Sequence, residues 1–512
     1  MRRLLLRWLL PAIALFGAIF ALIEASAVAA GGRSFDLGAY SSIQFVLNTN
    51  AAALASTLGI LMAIVLLMVQ LTAQRYSFNI VGMFVNNPRN VSLVALFIVT
   101  ISFNLWLSAS IDQDYIPQVG TYLALGMGTL CFGLLPPYFA YLFESLKPHN
   151  LLNALQREAL AAVDSAARGR ALEGARRLAD EKLRQTGDIT RTAVSLSDAD
   201  VARHSVLTLF RTLCDYLERK PNLPRDWFAI EEHFFPGRHA PVIREIEDSG
   251  TWFERRILEE YQSTFSSSLN RLEPVHTAVS LSCRRAGERA LELGDEAAVR
   301  LLIKFFNTFL RAALNARDAR AGYNLLFQYA LLADAAYDSR PDLALEIARR
   351  IAYYGETAIG MGVVWMAAAA AQDLRGLVEA AVRCGMPRET TARIQSELME
   401  LVREAEIKRS PTTSLLQKAI VALGAFQLER GEQELARDLA VGLRHVDPRE
   451  LNRLVADLAE VTDPQFWELT DRVVNFEYVE EGPRARLGDF AALVTAKDGP
   501  VERTGKRLEV AN

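Results

Sequence analysis

Apolar residues are laid out along this chain in two different ways. Over the first ~150 residues they form long, nearly uncharged blocks. Four windows, 8–30, 51–73, 91–109 and 120–143, are each long enough to cross ~30 Å of hydrocarbon at ~1.5 Å per helical residue. Glu24 is the main charge inside them, and it lies near one end, where a carboxylate reaches the headgroups. Beyond about residue 151 the blocks give way to apolar residues at three- and four-residue spacing, as in Leu301, Phe305, Thr308, Phe309 and Ala312. No run alternates as a strand would. The pattern predicts an all-α chain: a bundle of about four transmembrane helices followed by a water-facing helical domain.

Within the second part, similar helix openings recur. They are Gly294-Asp295-Glu296, Pro341-Asp342-Leu343, Gly385-Met386-Pro387-Arg388-Glu389 and Gly431-Glu432-Gln433-Glu434. Glycine suits the end of one helix and acidic residues the start of the next. The interval of about 45 residues fits paired-helix repeats, so an α-solenoid is expected. A compact, non-repeating bundle is the alternative. A less regular stretch, 221–252, holds four prolines with Trp227, Phe228, Phe234 and Phe235, which predicts loops pinned by aromatics. The expected organisation is a membrane domain over 1–147, a helical linker domain over 148–247, a repeat-like domain over 248–479 and a polar tail over 480–512.

Charge then orients the chain. Arg2, Arg3 and Arg7 precede the first window; Arg75 and Arg89 lie between the second and third; Lys147, Arg157, Arg168 and Arg170 follow the fourth. The other two loops hold only Arg33, or no Lys or Arg, with Asp112 and Asp114. By the positive-inside rule both termini and the large domain are cytoplasmic. The first 30 residues also fit a secretory signal, with small residues at Ala25-Ser26-Ala27-Val28-Ala29-Ala30. Cleavage there would leave three spans without moving the large domain. The net charge of −4 leaves no basic surface suited to nucleic acid. Cys131, Cys214, Cys283 and Cys384 are far apart and read as small apolar residues of a reducing compartment.

Neutral polar and small residues mark the candidate contacts within the membrane. Gln70 and Gln74 lie one turn apart in the second window, and Thr100, Ser102 and Asn104 punctuate the third. In lipid such groups favour interhelical hydrogen bonds, or else they line a hydrated path. A proton or ion relay normally shows buried charge, and the middle of these windows has none. In the fourth window Ala124 and Gly128, and Thr129 and Gly133, are spaced four apart, as close helix packing requires. Pro136 and Pro137 are expected to distort that helix.

The run Leu66-Leu67-Met68-Val69-Gln70-Leu71-Thr72-Ala73-Gln74-Arg75-Tyr76-Ser77, with Phe84 beyond it, resembles a bacterial family of predicted membrane proteins of unknown function. Gln74, Tyr76, Ser77 and Phe84 fit that family's run. Phe78 and Asn79 stand where proline and arginine are expected, and Arg75 replaces a second glutamine. The resemblance covers about the first third of the chain. It implies a retained first span and a bacterial inner-membrane location, and it supplies no activity, cofactor or catalytic residue.

Motifs for common chemistries are missing. The sequence has no HExxH, no CxxC, no GxxxxGK[ST] and no GxSxG. His233 and His239 flank an aromatic stretch without further metal ligands, and Gly126-Met127-Gly128 and Gly360-Met361-Gly362 sit in helical text. Neither a cofactor nor catalysis is expected. The reading that fits best is a membrane-anchored helical scaffold for a protein or peptide partner, or for self-association. The rival is an oligomeric channel or transporter gated by the helical domain.

Overall fold

The computed structural model describes residues 40–75, 88–113, 117–145, 147–230, 234–464 and 475–496. The first window, 8–30, lies outside the described residues, as do Glu24, Tyr76, Ser77, Phe84, Asp114 and His233. Every regular element among the described residues is helical. The chain divides into two compact units, one of Met1–Glu158 with Glu181–Ala193, the other of Ala159–Asp180 with Val194–Asn512.

The first unit is built on three long apolar helices, α1 (Tyr40–Arg75), α2 (Pro88–Ser110) and α3 (Gln118–Ser145). Three stretches, Tyr40–Gln70, Arg89–Ser110 and Val119–Ser145, are long and apolar enough to cross a membrane. The expected count of about four therefore exceeds by one what the described residues contain. The second window also begins earlier than expected, at Tyr40 rather than 51. Ser41, Gln44, Asn48 and Asn50 look like loop residues, but no proline or glycine interrupts the helix there. Conversely, α3 continues through Pro136 and Pro137.

Buried residues recur on α2 at Leu93, Phe97, Thr100, Asn104 and Leu107, continued just past its end by Ile111, and on α3 at Thr121, Ala124, Gly128 and Cys131. Alternating steps of three and four are the seam of coiled-coil-like packing. Two apolar clusters result. Ile43, Leu47, Leu107, Ile111 and Ala124 form one; Leu54, Leu61, Leu93, Phe97 and Cys131 form the other. Outward faces are also apolar: Phe45, Ile60, Leu67, Val99, Trp106 and Phe143 are all exposed. A helix that is apolar all round belongs in lipid rather than water.

In the second unit, α4 (Pro148–Ala167) and α5 (Leu172–Ser195) bring residues 159–180 and 194–195. After them come α6 (Ala199–Arg219) and the irregular stretch, which contains two short 3₁₀ turns and α7 (Ala240–Ser249). Trp227 and Trp252 are fully buried there; the Trp252 indole donates to the Trp227 carbonyl at 3.0 Å, and the Trp227 indole to the Tyr216 hydroxyl at 3.3 Å. Aromatics do pin this segment. Lys220 closes it with bonds of 2.5 Å to Glu254 and 2.6 Å to Asp295, a partly buried charge cluster that ties three elements together.

Helix pairs follow: α8 (Trp252–Ser268) with α9 (Glu273–Glu292), α10 (Glu296–Ala316) with α11 (Ala319–Ala336), α12 (Pro341–Gly360) with α13 (Val364–Arg383), and α14 (Arg388–Ile407) with α15 (Thr413–Glu429). Then come α16 (Gln433–Leu443) and α17 (Pro448–Glu460). The openings at 296, 341, 388 and 433 fall where the sequence repeats them. Gly294, Gly362, Gly385 and Gly431 take the left-handed conformation that ends a helix, with φ of 70°, 70°, 69° and 79°. Asp295 and Asp318 cap the next helices by accepting from the backbone N–H three residues on.

Alternate helices pack side by side. One layer runs α6, α9, α11, α13, α15, and the other α8, α10, α12, α14, α16. This is a helix-hairpin repeat stack with a continuous core between two layers. The polar tail expected over 480–512 needs correction. Residues 481–495 form α18 (Glu481–Arg484) and α19 (Leu487–Thr495), and α19 packs on α15, α16 and α17. Leu487, Phe490, Ala491 and Val494 are buried, and the Phe490 ring occupies the space a side chain at Gly424 would need. Flanking Gly, Pro and charge obscure this four-residue apolar stripe in the sequence. Residues 497–512 lie outside the described residues.

Candidate functional site

Two places gather polar groups where apolar packing alone would not. The first lies between the two apolar clusters of the three-helix bundle. The Asn50 side-chain amide donates to Asn104 Oδ1 at 3.0 Å, and Asn104 Nδ2 donates to the Thr100 carbonyl at 2.8 Å. Thr100 Oγ1 donates to the Leu96 carbonyl at 2.7 Å and accepts from Cys131 Sγ at 3.6 Å. Thr100 and Asn104 are wholly buried. Gly128 makes room for this layer, since a Cβ there would sit 2.6 Å from Asn50 Nδ2 and 2.8 Å from Oδ1. Near one end, Gln44 Nε2 donates to the carbonyls of Ser108 and Ile111, at 3.2 and 2.8 Å. It thereby satisfies acceptors that the end of α2 leaves open.

Of the residues singled out from the sequence, Thr100, Asn104, Ala124 and Gly128 therefore meet in the bundle interior. The others do not. Ser102 is exposed, because it lies two residues from both Thr100 and Asn104 and so faces away. Thr129 is exposed and donates to its own helix at the Leu125 carbonyl, 2.9 Å away. Nothing lies within 4 Å of a Cβ placed at Gly133. Gln70 is exposed, and the side chain of Gln74 lies outside the described residues. Sequence reasoning missed Asn50 and Gln44. Their signal was present, amides alternating with leucines at three- and four-residue steps of the α1 seam (Gln44, Leu47, Asn50, Leu54), but it fell before the hydrophobic window.

The second place lies on the second unit, where residues 475–480 cross the layer formed by α11, α13 and α15. Arg375 on α13 is buried. Its guanidinium donates to the carbonyls of Phe476 and Tyr478, each at 3.3 Å, while Glu379 accepts from its Nε at 3.0 Å. Lys418 on α15 contacts Glu477 and Asp457, both at 2.9 Å. Burial works against the Lys418 ammonium, but these two carboxylates outweigh it and raise its pKa. Tyr323 on α11 stacks with Phe476 at 5.6 Å between ring centres. Val479 is buried, and Arg383 lies 3.7 Å from Glu480. A tight turn, closed by the Tyr478 N–H donating to the Asn475 carbonyl at 3.1 Å, is thus held by side chains of three consecutive helices of one layer. The opposite layer carries exposed ion pairs between neighbouring helices, Arg300 with Glu346, Arg349 with Glu397 and Arg388 with Glu432, at 3.1–3.2 Å. Such pairs contribute ~0–1 kcal/mol each and mark a solvated face.

Among the described residues no group of three His, Cys, Asp or Glu is placed to hold a metal ion. Neither site brings together a nucleophile, a base and an open cleft. Fold and sites together define a helical membrane protein whose spans precede a large helical-repeat unit. Its residues 6–201 match the family model described as "Predicted membrane protein (DUF2254)", a family of unknown function. This is the family that residues 66–84 resemble, and the match reaches further than the first third of the chain. No curated protein matches. Among solved structures, the chain is similar to a "Circular tandem repeat protein with novel repeat topology and enhanced subunit contact surfaces", 15% identical, with 82% of this chain and 98% of that one covered and a TM-score of 0.35. At that score the likeness carries no argument.

Proposed function

We propose that this protein is a non-enzymatic, membrane-anchored scaffold, with the repeat unit on the cytoplasmic side of a bacterial inner membrane and available to a protein or peptide partner. The observation that carries this reading is the hold of α11, α13 and α15 on residues 475–480. Those helices already offer a turn of the chain a buried guanidinium, an ammonium and an aromatic platform. Helical-repeat layers commonly bind peptide segments along such faces. The polar groups in the bundle favour the anchor over the channel, because Asn50, Asn104, Thr100 and Cys131 bond to one another rather than to an open path.

Purification in mild detergent with native mass measurement, followed by ion-flux assays in liposomes, tests this. A scaffold gives a stoichiometric partner and no flux. A closed ring of identical chains, with flux that Asn50→Leu/Asn104→Leu abolishes in folded protein, would overturn it. Orientation is tested by labelling introduced cysteines in intact cells. One near Asp112 should react from outside, and one near Asn86 should not; the reverse pattern would invert the topology.

A further inference from the structure

We propose that the face formed by Tyr323, Arg375 and Lys418 is a peptide-binding groove occupied by the chain's own residues 475–480, and that its external ligand is a turn-forming segment with an acidic residue between two aromatics. This rests on the scaffold reading and names its ligand class and its regulation.

Each contact fits recognition of a short turn. Arg375 reads main-chain carbonyls two residues apart, those of Phe476 and Tyr478. Both carbonyls belong to the turn that the Tyr478 N–H closes onto the Asn475 carbonyl, Phe476 at its centre and Tyr478 at its end. The residue between them, Glu477, turns to Lys418. Phe476 lies on Tyr323, and Tyr478 faces the Arg484 guanidinium, 5.4 Å from its ring centre. Carbonyl recognition is indifferent to sequence, whereas the charge and the aromatic platform are not. Specificity therefore resides in the order aromatic, acidic, aromatic, and Asn475-Phe476-Glu477-Tyr478-Val479-Glu480 is an instance of it.

The resident segment is also replaceable. Its turn is closed by the Asn475 side chain and carbonyl, which accept from the backbone N–H of Glu477 and Tyr478 at 3.0 and 3.1 Å; at its ends the Asn475 N–H donates to the Pro464 carbonyl at 3.1 Å and Arg484 to the Val479 carbonyl at 2.7 Å, whereas its bonds to the face itself come from the side chains of Arg375 and Lys418. Its position is secured beyond its end by α19, through Phe490 against Gly424. A tethered segment competes at an effective concentration of about millimolar, so a free peptide binds weakly until the tethered one is loosened.

The test uses the full chain in detergent micelles and a fluorescein-labelled peptide with the sequence of residues 475–480. Phe476→Ala/Glu477→Ala in the chain should raise peptide affinity at least tenfold over wild type. In that background a peptide with Gln in place of its central Glu should bind less well, and Lys418→Gln in the chain should erase the difference between the two peptides. No rise in a folded double variant, or equal binding of both peptides before Lys418 is changed, would overturn the proposal. Should the double variant lose its helicity, hydrogen exchange on the wild type decides. Millimolar peptide should speed exchange at the amides of 477–479, and unchanged exchange would reject the groove. Failure here would leave a scaffold that binds through another face, which the flux and native-mass measurements test separately.

Discussion

Gly128→Ala addresses the polar layer of the membrane bundle directly. The new methyl would lie 2.6–3.1 Å from three atoms of the Asn50 carboxamide, so something must move. The carboxamide is the end of a flexible side chain, and it yields before the helix backbones do. Its displacement breaks the 3.0 Å bond to Asn104. An interhelical bond of this kind contributes ~0.6 kcal/mol and up to ~1.7, and crowding a packed interior adds ~1–3. Removing a glycine from a helix returns about 1 kcal/mol. The net expectation is a loss of about 1–2 kcal/mol in the wild type. In an Asn50→Ala background the obstruction is gone, and the same change should be neutral or stabilising by up to about 1 kcal/mol. The coupling between the two positions is therefore about 2 kcal/mol. Reversible unfolding in mixed micelles, read by helicity for all four proteins of the cycle, measures it. Equal effects of Gly128→Ala in both backgrounds would refute the argument that Gly128 exists to seat Asn50. Gly128→Leu cannot be accommodated by turning Asn50 aside and should cost more.

Three further outcomes follow from the repeat unit. Phe490→Ala empties a fully buried ring site over Gly424 and should cost ~3–5 kcal/mol locally, seen as early protease cleavage between α17 and α19 with the rest of the unit intact. Arg409 sits exposed at φ 49°, a conformation that glycine takes in the connections at Gly362, Gly385 and Gly431, so Arg409→Gly should stabilise by up to ~1 kcal/mol; a lower melting temperature would argue against strain at that position. Hydrogen bonds from Arg340 and Arg300 hold the Glu296 carboxyl down at about 2. A carboxyl lowered in the folded state stabilises above its unfolded pKa of ~4.5, and that contribution is lost as pH falls toward 2. The melting difference between wild type and Glu296→Gln should therefore be largest near neutrality and shrink at pH 3. A difference that persists at pH 3 would mean the ion pairs are not its source.

Local regularities made much of this architecture legible. Blocks of uncharged residues longer than the bilayer is thick can only be spans, since each backbone group must be satisfied inside its own helix. A left-handed glycine ends the preceding helix before the openings at 296, 388 and 433, proline begins the one at 341, and an acidic residue lies in the first turn of each, which is why they were readable. The tertiary structure decided which polar residues meet. Thr100, Ser102 and Asn104 are equivalent in composition, but three helices must pack before Thr100 and Asn104 face Asn50 while Ser102 faces out. It also decided what becomes of residues 475–495. Their four-residue apolar stripe and single aromatic–acidic–aromatic triplet carry too little burial to specify structure alone. They acquire it only because α11, α13 and α15, far upstream in the chain, present Tyr323, Arg375 and Lys418 along one face. Periodicity within a helix is a property of neighbouring residues, whereas a shared face of three helices exists only after the repeats have stacked.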